Sequence, residues 1–518
     1  MLSLLIWIPT LGATVIGCLP QRFNAQQVRW VALVTMAVTL FFATIGILEF
    51  DPTATVPQFQ EKVTWIEPLG LTYHLGLDGL SLPLVILNLV LVTVAIWSSN
   101  IQRRVRLYYS LILLLSTGVT GAFATQNLLL FFLFYEVELL PLYLLIAIWG
   151  GSRRGYAATK FLIYTALSGL LLLVAFFGLA WLSPSHSFDY QSLQASPLPL
   201  KQQLLILIPL VIGLAIKIPI VPFHTWLPDA HVEASTPVSV LLAGILLKLG
   251  TYGLLRFGLG FLADAWQVAG PWIALFAIVN VLYGSFNALA QQDMKKMVAY
   301  GSVAHMGYIL LAAAAATPLS TLATILQMVS HGLISALLFL LVGATYANTG
   351  TRDLRLLRGL LNPERGLPLV GSLMIMAVMA SAGTPGMVGF VAEFLVFRSS
   401  FPIFPWQTLI CMLGTGLTAA YFLLLVNRAF FGRLSSQAIN MPRRTLLEQL
   451  PATVLAILII FFGLKPNWIL HWSETSARIL ATSGSVACQV SDCIDASLSN
   501  GHLLFHDPEY PDLVDSVS

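Results

Sequence analysis

Charge is what this chain has least of. Asp, Glu, Lys and Arg make up 9% of its 518 residues, against about a quarter in a soluble globular domain. With 57% of residues hydrophobic, that shortage excludes a water-soluble fold and places the chain among polytopic membrane proteins. Cysteine is scarce too. Cys18, Cys411, Cys488 and Cys493 form no CxxC pair and no Cys/His ligand spacing, which argues against an iron–sulfur cluster or zinc site in this chain. Cys488 and Cys493 share the tail and are placed to pair if it faces an oxidising compartment. There is no Walker loop, and Gly258 and Gly260 of FGLGFL end an apolar helix rather than follow a strand, so no nucleotide site is expected. The net charge of +3 is spread through loops and gives nucleic acid nothing to bind. The opening residues, MLSLLIWIPTLGATVIG, lack a basic n-region and a small-residue cleavage site and read as a first span.

Long hydrophobic runs are what the chain has in abundance. A span needs about 20 apolar residues, which predicts an all-α polytopic membrane protein of about fourteen transmembrane helices, near 2–19, 28–48, 77–98, 107–124, 127–149, 159–182, 203–226, 236–258, 270–290, 297–316, 319–346, 367–396, 406–432 and 448–470. The few charges check that count. Connections after odd-numbered helices hold clusters such as Arg103, Arg104 and Arg106, or Arg352, Arg355, Arg358 and Arg365, with Arg443 and Arg444 in the last. Those after even-numbered helices hold only Lys62, Lys201, Arg256 and Arg398. By the positive-inside rule the odd connections are cytoplasmic and both termini lie on the opposite side. The 49–74 connection reads as a long acidic loop with Trp65 at the interface. The connection holding Pro184, His186, Pro197 and Pro199 reads as an ordered surface loop. The polar stretch 471–518 reads as a solvated acidic tail or as a partner-docking segment.

The stretch Leu204–Trp226, LLILIPLVIGLAIKIPIVPFHTW, is long enough to cross a bilayer yet carries Lys217 in its middle. A lysine at the bilayer centre costs about 3 kcal/mol on insertion scales and should face protein or trapped water. Pro219 and Pro222 each remove a backbone donor and disturb the preceding turn, freeing carbonyls near Ala215 and Ile218, with His224 just beyond. Broken backbone at membrane depth is tolerated only where protein or a wet cavity meets it, and a cation beside it is the arrangement of ion-conducting transporters. The plainer alternative is a kinked packing helix with a snorkelling lysine. A second break lies in MASAGTPGMVGFVAEF, with Gly383, Pro385, Gly386 and Gly389 in its middle. Breaks in the seventh and twelfth helices imply five-helix units, and an odd number of crossings inverts one relative to the other. The expected segments are three helices over 1–106, repeats over 107–260 and 261–435, a last helix over 436–470 and a tail over 471–518.

Other ionisable groups sit at similar depth. Glu136 and Glu138 lie in the fifth helix, and positions two apart point about 200° from one another. One should therefore meet Lys217 while the other finds another groove or a neighbouring subunit. Lys248, His305, His331 and Glu393 occupy the eighth, tenth, eleventh and twelfth helices. Together they read as a proton relay rather than as scattered packing polars, with Glu138, His224 and Lys295 as secondary candidates.

The stretches LLFFLFYEVELLPLYLLIAIWGG, AIKIPIVPFHTWLPDAHVEA, LLAGILLKLGTYGLLR, KKMVAYGSVAHMGYILL and QMVSHGLISALLFLLVGATY resemble the antiporter-like, proton-pumping membrane subunits of respiratory complex I. Within that family the resemblance is strongest to chain 4 of the cyanobacterial and plastid NAD(P)H–quinone oxidoreductase, the NDH complex, and covers nearly all of residues 70–435. It implies fourteen helices with inverted repeats and a proton-translocating role in the membrane arm of a plastoquinone-reducing complex. It matches Glu136 to the helix-five glutamate, Lys217 to the broken-helix lysine, Lys248 to the central lysine, His305 and His331 to the relay histidines and Glu393 to the outlet. On that reading Glu136–Lys217 is the coupled pair. No cofactor is expected in this chain. Plastoquinone, iron–sulfur clusters and the reduced donor, NAD(P)H or ferredoxin, belong to other subunits. The implied setting is a cyanobacterial thylakoid membrane with luminal termini. Partners are other membrane-arm and peripheral subunits, lipid, protons and internal water. SAGTPGMVGF, HVEASTPVSV and the acidic tail depart from the family's commoner pattern and fit either a variant complex serving carbon dioxide uptake or lineage drift. The rivals are a subunit of a multi-subunit cation/proton antiporter and a structural membrane scaffold.

Overall fold

A computed structural model describes residues 1–20, 22–434 and 446–482. Arg443, Arg444, Cys488, Cys493 and the acidic positions from Asp492 to Asp515 lie outside the described residues. Among the described residues ten helices are long and apolar enough to cross a membrane, from Ala25–Glu49 to Pro405–Phe430, and a bent pair, Glu448–Leu464 with Asn467–Thr482, turns by 65°. Leu2–Cys18, Leu82–Ser98 and Pro368–Ser381 are shorter apolar helices. The chain is an integral membrane protein, and its helices fall on the stretches that hydropathy selects.

The helices sort by what surrounds them. Every residue in the apolar window of Thr236–Leu259 and of Pro318–Thr349 is buried, and so is nearly all of Met294–Ala315, whereas Ala25–Glu49 buries only 28% of its window. The three buried helices therefore form the middle of the protein, and they carry Lys248, His331 and His305. An apolar surround that would otherwise be lipid is here other helices, so polar side chains on these three can meet polar partners.

Proline decides where helices stop. Pro141 has no N–H and its ring crowds the carbonyl four residues back, so the fifth helix divides into Leu128–Val137 and Leu139–Trp149 with Glu138 at the joint. The two pieces still run on as one apolar span of 22 residues, Leu128–Trp149, as expected. The seventh ends at Lys217 and resumes as the short helix Trp226–Glu233. The twelfth divides into Pro368–Ser381 and Val388–Ser400, with Gly383 and Gly386 between them at positive φ, where glycine has no steric penalty.

Two connections have matching joints. Asn127 caps Leu128–Val137, accepting hydrogen bonds from Leu129 N and Leu130 N, and pairs with Asp189 through Leu128 N to Phe188 O and Tyr190 N to Gln126 O. Asp293 caps Met294–Ala315 from Lys295 N and Lys296 N and pairs with Asp353 through Met294 N to Arg352 O and Leu354 N to Gln292 O. The same four-residue bridge thus occurs at the start of the fifth and of the tenth helix.

The all-helical expectation needs one correction. The 49–74 connection folds as an antiparallel hairpin, β1 (Gln58–Ile66) and β2 (Leu71–Leu77), turning at Gly70. The third helix accordingly starts at Leu82 rather than near 77. β1 lies largely exposed, yet both strands carry a period-two pattern, Phe59, Val63 and Trp65 in β1 and Leu71, Tyr73, Leu75 and Leu77 in β2, a signal that the loop reading passed over. The hairpin is held by a buried clasp, in which Asp189 Oδ1 meets His74 Nδ1 at 2.7 Å and Asp189 Oδ2 accepts from Lys62 Nζ at 2.5 Å. Asn127 Nδ2 donates to Gly70 O and Thr72 Oγ1 beside it. The tail expectation is also corrected over its first residues. His471–Thr482 continues a helix that docks on its own chain, Ser473 Oγ donating to Gly79 O at 2.7 Å and Ser476 Oγ accepting from Gly79 N at 2.8 Å.

Two expectations follow. A Cβ at position 79 would overlap the Trp472 carbonyl and crowd Ser473 Cα, so Gly79→Ala should lower the thermal midpoint by an amount equivalent to about 1–3 kcal/mol; an unchanged midpoint would refute the close approach. Burial opposes ionisation of Asp189, but the hydrogen bonds from His74 and Lys62 outweigh it and hold the carboxyl below its usual range. A carboxyl lowered by folding stabilises above its unfolded value of about 3.9 and loses that contribution as pH falls through the folded value. Amide protection in β2 should therefore hold down to about pH 4 and decline below it, whereas Asp189→Asn should show the low protection already at neutral pH.

Candidate functional site

The break of the seventh helix meets the joint of the fifth. Lys217, the last residue of Leu200–Lys217, and Glu138, at the joint of the fifth helix, are both wholly buried and form an ion pair between Lys217 Nζ and Glu138 Oε1. The expected Glu136–Lys217 pair is not formed. The glutamate at the one-residue joint, rather than Glu136 within the helix, is the one that meets the lysine. Tyr135 completes this corner: its ring lies 4.4 Å from the ammonium, and its hydroxyl shares a hydrogen with Ser168 Oγ at 2.8 Å. Ser168 Oγ in turn donates to Gly213 O. Glu136 is half-buried against Gly169.

The backbone freed by Pro219 and Pro222 is met by protein. Ala215 O accepts from Ile220 N at 2.8 Å, Ile216 O from Trp226 Nε1 at 2.8 Å, and Val221 N donates to Asn280 Oδ1 at 2.7 Å. Asn280 is fully buried and also donates to Pro219 O at 3.4 Å. It holds the break in place, and nothing in the sequence marks it.

A second cluster occupies the three central helices. Lys248 sits between two π-helical segments, Leu242–Leu246 and Leu254–Leu259, where the widened turn lets its Nζ donate to Ala243 O at 2.5 Å. The same Nζ meets His331 Nδ1 at 2.7 Å. The His331 and His305 rings lie 5.7 Å apart. His305 then contacts Glu393 (Nδ1 to Oε1, 3.6 Å) and Ser381 (Nε2 to Oγ, 3.0 Å). Glu393 Oε2 accepts from Thr415 Oγ1 at 3.1 Å, and Gly383, having no side chain, leaves that carboxylate room. A small cavity lined by His305, Gln327, Ser330, His331, Ser381 and Glu393 lies along this row. Lys248–His331 and His305–Glu393 thus form two contacting pairs whose imidazole rings face each other across 5.7 Å, and neutral imidazoles can both accept and donate a proton.

The helix bearing Lys248 packs on the break itself, since the Cβ position of Gly250 falls 3.3 Å from Lys217 Cβ. No hydrogen bond joins the two lysines among the described residues. His231 is a further residue that sequence reading passed over. It is wholly buried in Trp226–Glu233, stacked 4.5 Å from Phe339, with neither ring nitrogen partnered among the described residues. It lies seven residues after His224, a helical spacing that was the one available signal. Of the secondary candidates, Lys295 is buried and donates to Ala234 O at 2.6 Å. His224 is buried against Tyr283. Neither joins the main row.

The comparisons with known proteins agree with one another. The family described as NADH:quinone oxidoreductase/Mrp antiporter, transmembrane, matches residues 125–418. The chain is 41% identical over 457 residues to NAD(P)H-quinone oxidoreductase chain 4-2 of Synechocystis sp., covering 86% of this chain and 80% of that one. Among solved structures it is similar to a chain of respiratory complex I from Thermus thermophilus with bound NADH, with TM-score 0.86 and 25% identity over 94% of this chain and all of that one. It is likewise similar to a chain of the Mrp complex from Dietzia sp., with TM-score 0.83 and 22% identity over 93% and 97%.

Removing one partner of a buried ion pair leaves an uncompensated charge and costs about 3–5 kcal/mol. Lys217→Met should therefore lower the thermal midpoint markedly, and Lys217→Met with Glu138→Gln should recover most of the loss. Equal destabilisation of the single and double variants would mean that the two side chains do not pair.

Proposed function

The chain belongs to the NADH:quinone oxidoreductase and Mrp antiporter membrane-subunit family, and from that premise we propose that it is a proton-translocating membrane-arm subunit of an NDH complex, in which plastoquinone reduction by other subunits drives proton transfer through this one. The observation that carries this reading is the row of buried ionisable groups. Lys217, Glu138, Lys248, His331, His305 and Glu393 lie within the membrane-spanning helices without facing lipid, and each is joined to another of the six by a contact of 3.6 Å or less. A scaffold needs no such row, and intramembrane charge is retained chiefly for transport.

Energetics support it. Driving a proton against 150–200 mV requires roughly 3.5–4.6 kcal/mol. Withdrawing a carboxylate from a buried lysine changes the lysine's proton affinity by about 4 kcal/mol. Opening and closing Glu138–Lys217 is thus of the size needed to load a proton and release it. Lys248, His331 and His305 carry it across the middle of the protein, and Glu393 is the outlet. The redox chemistry belongs to partner subunits holding plastoquinone, iron–sulfur clusters and the electron donor, NAD(P)H or ferredoxin.

The finer assignments form part of the same proposal. The three shorter apolar helices and the bent pair bring the crossings to fourteen, with both termini on the luminal side of a cyanobacterial thylakoid membrane. The inverted five-helix repeats, over 107–260 and 261–435, are supported by the breaks in the seventh and twelfth helices. The matching bridges Asn127–Asp189 and Asp293–Asp353 support them further, since helices five apart start from opposite faces. Assignment to a variant complex serving carbon dioxide uptake rests on the departures in helix twelve and in HVEASTPVSV.

Lys217→Ala and Lys248→Ala should leave the complex assembled and still reducing quinone while lowering the protons moved per electron. Wild-type stoichiometry in both would overturn the reading. The rival, a cation/proton antiporter subunit, is favoured by the fold shared with the Mrp chain. A tagged chain that purifies without quinone-reducing peripheral subunits would decide for it.

A further inference from the structure

The short helix Trp226–Glu233 lies between the break at Lys217 and the helix that carries Lys248, and both of its ends are held by other parts of the chain. At its start, Trp226 Nε1 donates to Ile216 O, the carbonyl next to Lys217, at 2.8 Å. At its far end the last carbonyls of a helix have no partner within it, and here three in succession are met from three different segments. Val232 O accepts from Arg352 Nη1 at 2.9 Å, Glu233 O from Gly151 N at 2.9 Å and Ala234 O from Lys295 Nζ at 2.6 Å. Two of these three donors are cations, the sign of charge that the C-terminal end of a helix dipole favours.

The two cations belong to one unit. Asp293 Oδ1 accepts from Lys295 N and Lys296 N, its Oδ2 pairs with Arg352 Nε at 3.3 Å, and Met294 N donates to Arg352 O. Lys295 is buried, yet its ammonium sits on a helix-end carbonyl and makes no contact with the row from Lys248 to Glu393. A buried ammonium is costly to hold, so this one is retained either for geometry or for a proton. The three-carbonyl arrangement, shared with an arginine that does not give up its proton, favours geometry.

We propose that Lys295 and Arg352 are positioning residues. Together they clamp the C-terminal carbonyls of Trp226–Glu233, and through the Trp226–Ile216 hydrogen bond that clamp fixes where Lys217 stands. A shift at the start of the tenth helix, or in the connection after the eleventh, is thereby passed along a short rigid helix to the turn that bears the lysine. Lys295 contributes charge and a donor here and passes no proton. The inference rests on the proton-translocating reading above and adds to it a link from these two segments to the break.

The test uses the assembled complex in vesicles and reads two quantities, the protons moved per quinone reduced and the amide hydrogen exchange of the peptide spanning 226–234. Lys217→Ala serves as the reference for lost pumping. Lys295→Met should speed exchange in that peptide and lower pumping by roughly half the reference loss or more. Lys295→Arg should restore both, because a guanidinium keeps the charge and the donors but does not release a proton. Arg352→Gln, at a partly buried site that cannot itself carry a proton, should reproduce the Lys295→Met result, and it decides the matter should Lys295→Met fail to assemble or the guanidinium fail to fit. Trp226→Phe removes the donor to Ile216 O and should lower pumping with normal exchange at 230–234. Normal pumping by Trp226→Phe, or faster exchange in Lys295→Met with unchanged pumping, would overturn the link to Lys217. Normal exchange in Lys295→Arg with pumping as poor as in Lys295→Met would make the lysine a proton carrier and overturn the clamp. Unchanged exchange in both Lys295→Met and Arg352→Gln would overturn it too. Wild-type pumping by Lys217→Ala would instead remove the translocation reading, and the exchange result would still show whether the clamp exists.

Discussion

The interaction on which the rest depends is the ion pair between Lys217 and Glu138. An ammonium at mid-membrane is expensive, and the expense falls steeply once a carboxylate and polar neighbours replace water. That condition is met where the seventh helix ends at Lys217, since there the ammonium lies between Glu138 and the face of Tyr135. The prolines at 141, 219 and 222 are therefore part of the charge arrangement. They open the backbone, and Asn280, Trp226 and Ser168 close the hydrogen bonds that the opening leaves.

From that corner the chemistry extends across the protein by a different device. Lys248 is not held by a carboxylate but by a carbonyl in its own widened helix and by His331. An ammonium so held can give up its proton to the imidazole without leaving an unpaired carboxylate behind. The two lysines thus have complementary environments, one anchored by opposite charge and one poised beside a neutral acceptor. Side chains so arranged are suited to handing on a proton, which is what the proposed role requires.

Outside the membrane the structure is organised to keep the helix ends fixed. The hairpin, the Asp189 clasp and the docked Asn467–Thr482 helix all gather over the ends of the helices that begin at Leu82 and Leu128. The Asp293–Asp353 bridge gives the tenth helix the same anchorage. Rigid ends allow small changes at the breaks to alter distances within the row rather than be absorbed by drift of whole helices.

Much of this was legible in the residues themselves. Low charge and long apolar runs determined the class and the helix positions. Lysines and histidines in otherwise apolar helices named most of the row, because a charge in hydrocarbon is retained only with a reason. The sequence could not say which of Glu136 and Glu138 meets Lys217: a helical wheel separates them by direction, but which direction faces the seventh helix is set by how the two helices pack. The alternation in LTYHLGL and the spacing of His231 from His224 were there to be read, but nothing marked Asn280, whose type is ordinary and whose importance lies in what surrounds it, or the widened turns about Lys248. Those were decided by packing, since a side chain's partner is fixed by which backbone approaches it in space, and that approach is set by contacts between segments far apart along the chain.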